Sequence, residues 1–232
     1  WGKEIVKKNC LAEVLSSLAD SFAPGRIRIS SLEPWSADDT LLKTVLQHPR
    51  ICPHLHLPLQ HGDDRILEAM RRGYKAKDYL AIVEKIKKIN PKAALGTDII
   101  LGFPGEDETA FNNLLKILKQ IEPSYLHAFS FSPRKGTMAA TMENRPSKET
   151  ARLRTSQVRE LGSEFSQIYI MSHLEQTREV IIEELKGEET LGLTDTFVKV
   201  KMGKTNLNKG ELVKVKFTAA DKDSLNGCIE DK

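Results

Sequence analysis

Four short apolar runs alternate with helical patterns over residues 1–172, and this alternation limits the possible folds more than any other feature. The runs are Arg26–Ser31, His54–Leu59, Leu95–Leu101 and Tyr125–Phe131. Strands that alternate with helices of about 10–15 residues form right-handed βαβ units around a parallel sheet. The pattern therefore predicts an α/β domain with four parallel strands, which is the latter part of a barrel and not a whole one.

The sequence pattern changes near the end of the long helical segment Lys148–Leu174. The following segments are short, rich in β-forming residues and separated by glycine turns, which is typical of a small all-β barrel. They are Arg178–Glu184, Leu191–Thr194, Phe197–Val200 and Leu212–Phe217. We therefore divide the chain into an α/β domain at 1–172 and a β-barrel domain at 173–232. The other predicted helices are Lys3–Phe22, Asp38–Gln47, Asp63–Arg72, Lys77–Asn90 and Glu108–Ile121.

The composition is that of a globular protein, with 40% hydrophobic and 29% charged residues. No apolar run reaches the roughly 18 residues of a membrane span, and no signal peptide is visible. The three cysteines, Cys10, Cys52 and Cys228, are scattered and form no local metal motif. An odd, scattered set suits a reducing compartment. The sequence predicts a cytoplasmic protein with no membrane partner and no metal site of its own.

Lysines are concentrated near the end of the chain, although the net charge is only +3. Lys199 and Lys201 lie at alternate positions of one strand-like run, and Lys214 and Lys216 lie so in another. Each pair then points to one side of its strand, and the four form a patch if the strands are neighbours. Two interpretations stay open, a solvated strand face and a surface that contacts phosphates.

The ends of two predicted strands carry candidate ligand-binding groups. Active sites of parallel α/β proteins lie at the carboxyl ends of the strands. Gln60 ends one strand with an amide that both donates and accepts hydrogen bonds. Asp98 lies inside an apolar strand, where a carboxylate needs a partner or a polar lumen. The turn that follows has glycines for close backbone approach and a carboxylate acceptor, in Gly102, Phe103, Pro104, Gly105 and Glu106.

Three histidines accompany the strand that ends at Gln60. His54 and His56 alternate with leucines and share one face, so either a buried hydrogen bond or a catalytic role is open to them. His61 is expected to be exposed in the turn.

Four motifs occur in order and resemble those of the radical S-adenosylmethionine methylthiotransferases. They are RISSLEP, HLHLPLQHGDDRILEAMRRGY, GTDIILGFPGEDETAF and FSPRKGTMAATM. The last 60 residues are similar to the small RNA-binding barrel, called TRAM, that ends those enzymes. The resemblance implies a partial (β/α)6 barrel followed by TRAM, with tRNA as the partner at its anticodon arm.

The resemblance also implies roles for individual residues. Ser31 and Glu33 end the first strand over S-adenosylmethionine, and the Gly102–Glu106 turn cradles the adenine. Arg134 and Thr137 follow the last strand, where the guanidinium suits a carboxylate or phosphate. In the barrel, Phe197, Lys199 and Lys201 are RNA-binding candidates, with Phe197 either stacking on a base or lying in the core.

The family holds its 4Fe-4S clusters with cysteine motifs that do not occur in this sequence. Cluster ligation needs several thiolates at one site. We therefore expect the chain to be the carboxyl-terminal part of a longer enzyme that receives electrons from a donor such as flavodoxin or ferredoxin.

The SSLEP segment is most similar to the branch that modifies threonylcarbamoyladenosine in tRNA. Other branches act on isopentenyladenosine in tRNA or on an aspartate of a ribosomal protein, and both stay open as alternatives. An RNA-binding module without catalysis and an unrelated nucleotide-binding barrel enzyme are the alternatives from other classes.

Overall fold

The computed structural model describes residues 10–21 and 25–230, which form parts of two compact units, Trp1–Ser163 and Glu164–Lys232. In the first unit the described helices are α1 (Leu11–Ser21), α2 (Asp39–Gln47), α3 (Asp64–Ala69), α4 (Ala76–Ile89), α5 (Glu108–Ile121), α6 (Met138–Thr141) and the start of α7 (Lys148–Met171). A 3-10 turn covers Pro34–Ser36. Residues 3–9 and 22 of the predicted first helix lie outside the described part.

The first unit contains a parallel sheet, which within the described residues has the order β1 (His54–His56), β2 (Ala94–Leu101) and β3 (Tyr125–Ser130). Along each strand one side faces the helices. Leu55, Leu57 and Leu59 are completely buried there, whereas the histidines point to the other side. The predicted α/β class with parallel strands is confirmed.

The sequence predicts a strand at Arg26–Ser31, but the structure has no regular strand there. This segment is extended and lies beside β1, but it pairs only through isolated parallel bridges, from Ile27 to Ile51 and from Ser31 to His56. Pro53 and Pro58 interrupt the neighbouring segment, and proline has no N–H to donate to a ladder. The regular part of β1 is consequently short.

Helix ends in this unit follow the sequence closely, because side chains cap them. Asp38, Asp63 and Asp107 accept backbone N–H bonds at the starts of α2, α3 and α5. Such capping satisfies donors that have no partner inside the helix. The α5 helix has the predicted bounds, and its start fixes the turn that precedes it.

The second unit contains a closed barrel, which in the described range has the strand order β4-β5-β6-β8-β7. The strands are β4 (Thr177–Lys186), β5 (Glu189–Thr194), β6 (Lys199–Gly203), β7 (Leu212–Ala220) and β8 (Ser224–Ile229). Val180, Val200, Val215, Phe217 and Leu225 form its core, together with Ile170 of α7. The predicted small β-barrel is confirmed, and β8 was missed because SLNGCI contains both Gly and Asn, which are depleted in strands.

No helix within residues 10–21 and 25–230 is long and apolar enough to cross a membrane.

Candidate cofactor and substrate site

Two adjoining cavities, of about 640 and 590 Å³, lie at the carboxyl ends of β2 and β3. The second is lined by Gln60, Asp98, Arg134 and Thr137, and the first by Phe103 and Thr137. The residues common to both are Arg72, Ile100, Phe131, Thr137 and Ala139. The structure thus brings five of the predicted residues to one region, although they come from three separate segments of the chain.

Gln60 has the most informative geometry in this region. Its φ is 66°, in the left-handed range that is uncommon for a residue other than glycine. The backbone there is held on both sides, because Gln60 N donates to Asp98 O and Ile100 N donates to Gln60 O. Gln60 as a whole is only 9% exposed and lines the second cavity, and its side chain makes no hydrogen bond to a described residue. An amide that lines a cavity and has no protein partner is suited to a ligand.

The Gly102–Glu106 turn is fixed by the carboxylate of Glu106. Glu106 Oε2 accepts the Gly102 N–H at 2.8 Å, and Oε1 lies 2.8 Å from Arg154 Nη1 on α7. Gly102 has a φ of 76°, and a Cβ there would lie 2.5 Å from Cβ of Ala151. This glycine is therefore required by packing on α7, and Glu106 holds the turn rather than presenting free oxygens to a ligand.

His61 also belongs to this buried network, so the expectation that it is exposed is wrong. Its side chain is 0% exposed, because Gly62 lets the chain approach α5, where a Cβ would lie 2.6 Å from Cα of Leu114. His61 Nδ1 accepts the Asp63 N–H, so the ring proton is on Nε2, which lies 3.4 Å from Glu106 Oε2.

The pKa of Glu106 reflects these contacts. Burial by itself raises the pKa, but bonds from His61, Arg154 and the Gly102 N–H outweigh it and hold the pKa below the ordinary range. The carboxylate is therefore charged at neutral pH, and it balances the buried Arg154. Sequence reasoning missed Arg154 because the pair is separated by 48 residues.

Polar side chains occupy the face of the sheet opposite the helices. His56 Nε2 lies 3.1 Å from Asp98 Oδ2, and His127 Nδ1 lies 3.1 Å from Asp98 Oδ1. The hydroxyl of Tyr125 lies between His54 Nε2, at 2.8 Å, and His56 Nδ1, at 3.1 Å. These residues line one row across β1, β2 and β3, as the period-two alternation predicts.

Gly96 determines how closely the side chains of this row pack, and burial determines the charge of His54. Gly96 leaves room for the Tyr125 ring, because a Cβ on Gly96 would lie 2.1 Å from Tyr125 Cζ. Burial, with the nearby charge of Arg28 and the neighbouring His56 imidazole, lowers the pKa of His54 to about 3. His54 is therefore neutral across the physiological range.

Of the remaining predicted residues of this unit, Ser31 and Glu33 line neither cavity, whereas Arg134 lines the second one. Glu33 contacts Arg72 Nη1 at 3.3 Å, and Arg72 lines both cavities. Ser31 is exposed at the bridge with His56. Arg134 is exposed, and its backbone oxygen accepts from Thr137 Oγ1 at 2.8 Å. The Arg134 guanidinium has no partner among the described side chains.

In the barrel, Phe197 is 43% exposed with a φ of 66°, so of the two alternatives it does not lie in the core, which contains Val198 and Val200. The turn that carries it is rigid. Arg178 contacts Asp195 through two bonds of 3.0 Å, and His173 Nε2 lies 3.0 Å from Thr196 Oγ1. A bulky residue in this backbone region is an outlier that the surrounding structure must hold.

The four lysines of the barrel do not form one patch on neighbouring strands, because β8 lies between β6 and β7. Lys201 is also engaged with Asp221 at 2.9 Å, and Lys216 lies 3.6 Å from Glu175. Lys199 and Lys214 are exposed and have no ionic partner in the described part of the barrel. The condition for a single patch, that the two strands are neighbours, is therefore not met.

The described cysteines do not converge on a site for an iron–sulfur cluster. Cys52 is buried beside β1, Cys10 precedes α1, and Cys228 is exposed on β8 of the other unit. A 4Fe-4S cluster needs several thiolates at one place. The residues of this chain that the structure describes therefore do not fit such a cluster.

Residues 5–118 match the family model of the Radical SAM superfamily, and the fold agrees. The structure is similar to coproporphyrinogen III oxidase (HemN) from Escherichia coli, with a TM-score of 0.55 at 12% identity, covering 94% of this chain and 55% of that one. The sequence match, with which the fold agrees, places the chain in the radical SAM class.

Comparison with curated relatives indicates which family of the radical SAM class the chain resembles. One is a tRNA-2-methylthio-N(6)-dimethylallyladenosine synthase from Sulfurihydrogenibium sp., 36% identical over 94% of this chain and 50% of its own length. Another is the threonylcarbamoyladenosine tRNA methylthiotransferase MtaB of Thermotoga maritima, 31% identical over 100% of this chain and 52% of its own length. The chain belongs to the methylthiotransferase family of radical SAM proteins, and it spans about half the length of these relatives.

Proposed function

We propose that this chain is the carboxyl-terminal part of a cytoplasmic enzyme that transfers a methylthio group to an adenosine beside the tRNA anticodon. The observation that carries the proposal is the Gln60 amide, which has no partner among the described residues and lines a cavity where parallel strands end. Relatives of both tRNA-modifying kinds match nearly the whole chain and support the choice of reaction.

In this proposal the second cavity takes S-adenosylmethionine, which supplies the radical chemistry when it is bound. Its volume of about 590 Å³ is in the usual range for a small-molecule site. Gln60 binds the cofactor through its amide, and Phe103 in the adjoining cavity contributes apolar surface. Gly102, Pro104, Gly105 and Glu106 form the turn that holds Phe103 in place. Ser31 and Glu33 stay candidates at the margin, where Arg72 holds Glu33.

We place the ligands of the 4Fe-4S clusters outside this chain, in the remainder of the longer protein. An electron donor such as flavodoxin or ferredoxin then acts on that part. The role of the present chain is to orient the cofactor and the base and to exclude water, which is the usual contribution of protein to cofactor chemistry.

For the substrate we favour threonylcarbamoyladenosine. Its free carboxylate needs a cation, and the exposed Arg134 guanidinium at the cavity is without a described partner. A guanidinium binds a carboxylate with two parallel bonds. Thr137 fixes the backbone of Arg134 and lines the same cavity.

The alternative substrate is dimethylallyladenosine, which several relatives carry in their names. The first cavity favours it, because Phe131, Met138 and Met142 provide an apolar lining for a hydrocarbon group. The same family also includes the modification of a ribosomal-protein aspartate, for which the carboxylate argument for Arg134 holds as well.

The test is nucleoside analysis by mass spectrometry of tRNA modified by the full-length enzyme and by its Arg134→Ala variant. Loss of activity on threonylcarbamoyladenosine in the variant, with KM raised more than kcat is lowered, supports the proposal. Activity only on dimethylallyladenosine, unchanged by Arg134→Ala, supports the alternative. Lys135→Ala, the exposed neighbour, is the matched control.

The barrel is proposed as an RNA-binding domain of the TRAM type, with Phe197 as a stacking group and Lys199 and Lys201 as phosphate contacts. Its support is the exposed aromatic ring on a rigid turn beside lysines of β6. If the longer protein binds tRNA without modifying it, the chain is a binding module and not part of an enzyme.

A further inference from the structure

We propose that His56, Asp98 and His127 bind one divalent transition-metal ion of the zinc class. The two imidazoles and the carboxylate come from β1, β2 and β3, and their ligand atoms all lie within 4.8 Å of one another. Among the described residues this is the only such group of three. Asp98 lines the second cavity together with Gln60, whereas neither histidine lines either cavity.

The spacing of the donor atoms suits a small ion. His56 Nε2 and His127 Nδ1 each lie 3.1 Å from an oxygen of Asp98. Ligands at about 2.0–2.1 Å from a tetrahedral zinc ion are separated by roughly 3.3 Å. Small adjustments of the side chains therefore admit an ion between the three groups.

The donor types also favour a transition metal over calcium or magnesium. Imidazole suits zinc, iron, copper and nickel, whereas calcium and magnesium prefer sets of oxygen ligands. Two imidazoles and one carboxylate leave at least one coordination position open. Asp98 is 26% exposed and lines the second cavity, so that position is accessible from the cavity.

Tyr125 provides the outer support that a histidine ligand needs. A ligating imidazole donates its other N–H to a neighbouring acceptor, which fixes the ring. Tyr125 Oη lies 3.1 Å from His56 Nδ1 and is itself 2.8 Å from His54 Nε2. His56 Nδ1 can donate to the hydroxyl, which leaves His56 Nε2 with its lone pair directed towards Asp98. Gly96 makes this arrangement possible by leaving room for the ring.

The charges nearby permit an ion. Asp98 supplies one negative charge, and the nearby Arg28 acts on His54 and Tyr125. An ion bound at His127 and Asp98 lies towards the more exposed end, since the His127 side chain is 55% exposed. The competing explanation is a cluster held only by hydrogen bonds.

No local sequence motif reveals this group, because its three members are separated by 42 and 29 residues. They meet only through the parallel strand register, in which Asp98 pairs with His127. The sequence prediction of no metal site rested on the cysteines and on local spacing.

The experiment is a titration of the reduced, metal-free 232-residue chain with Zn²⁺ by calorimetry and with Co²⁺ by visible absorption. We expect one ion per chain, with a cobalt spectrum that lacks thiolate bands. His127→Ala removes a ligand from an exposed position and is expected to abolish stoichiometric binding. Tyr125→Phe keeps all three ligands and is expected to weaken binding by about 10–100-fold.

His48→Ala is the matched control, because His48 Nε2 also lies 3.3 Å from a carboxylate, that of Asp20, but has no third ligand among the described residues. Its binding is expected to equal that of the unchanged chain. Far-ultraviolet circular dichroism checks that each variant is folded. The proposal is overturned if the unchanged chain takes up no stoichiometric ion, if His127→Ala and Asp98→Asn bind as tightly as the parent, or if the cobalt spectrum shows cysteine ligation.

Discussion

Arg154 Nη1 on α7 lies 2.8 Å from Glu106 Oε1, and both side chains are buried, with 9% and 0% exposed. The pair joins the turn after β2 to the long helix. The same guanidinium also lies 3.0 Å from Glu108, whose side chain is 75% exposed. One cation therefore has a buried partner and an exposed one, which allows the two contributions to be separated.

Glu106→Gln is expected to lower the free energy of unfolding by about 3 kcal/mol, since removal of one partner leaves a buried charge uncompensated. Glu108→Gln is the control and is expected to change it by less than about 1 kcal/mol, because exposed pairs contribute little. Urea unfolding at neutral pH measures both. Equal effects of the two variants contradict the assignment.

The contribution of Glu106 is expected to depend on pH. Its folded-state pKa is below the ordinary value of 4.5. The folded state therefore favours the carboxylate, and the stabilisation is complete above pH 4.5 and is lost as the pH falls through the lower, folded-state pKa. The difference in stability between the unchanged chain and Glu106→Gln should shrink below pH 4.5. A difference that stays constant down to pH 3 contradicts this linkage.

Gln60→Ala in the full-length enzyme is expected to weaken S-adenosylmethionine binding roughly tenfold, because a lost hydrogen bond to a buried group costs about 1–3 kcal/mol. Glu106→Ala is expected to weaken it as well, by releasing the turn that holds Phe103. Calorimetry measures the affinity, and Gln47→Ala, an exposed glutamine at the end of α2, is the control. Unchanged affinity in Gln60→Ala, with the fold intact, refutes the proposed cofactor site.

Elements with local signals were predictable, and features built by distant segments were not. The bounds of α5 follow from Asp107, which caps the helix, and from the apolar spacing that ends at Ile121. The burial of His61 depends on Gly62 beside α5, and the contacts of Asp98 depend on strand register. Such relations join residues far apart in the chain, and neither propensity nor periodicity encodes them.

The exposure of Phe197 illustrates the same limit within the barrel. Alternation along Phe197–Val200 admits either side for the ring. The choice is made by the turn, in which Thr194 Oγ1 accepts the Val198 N–H at 2.9 Å and Arg178 holds Asp195. These bonds begin β6 at Lys199 and leave Phe197 in the turn.

Phe197→Ala in the 232-residue chain is expected to weaken tRNA binding by about 1–3 kcal/mol, the usual contribution of base stacking, without a change in salt dependence. Leu185→Ala removes another exposed apolar side chain of the barrel, 48% exposed, and is expected to have no effect. Filter binding measures both. Equal losses in the two variants contradict a stacking role.

Lys199→Glu with Lys201→Glu is expected to reduce the salt dependence of tRNA binding, since each phosphate contact contributes a log-log slope of about −0.7 on single strands. Lys199→Glu alone should account for most of the change, because Lys201 is already paired with Asp221. Binding at two salt concentrations tests this, and indifference to the double change favours a solvated face.

Because the backbone at Gln60 is left-handed, selection for stability and selection for ligand binding favour different residues at this position. Side chains disfavour that conformation by about 1–2 kcal/mol, whereas glycine accepts it readily. A population selected only for thermal resistance would therefore drift towards glycine at position 60 and lose the amide. The persistence of a glutamine there, in a chain under selection for activity, would mark the position as one where ligand binding outweighs ease of folding.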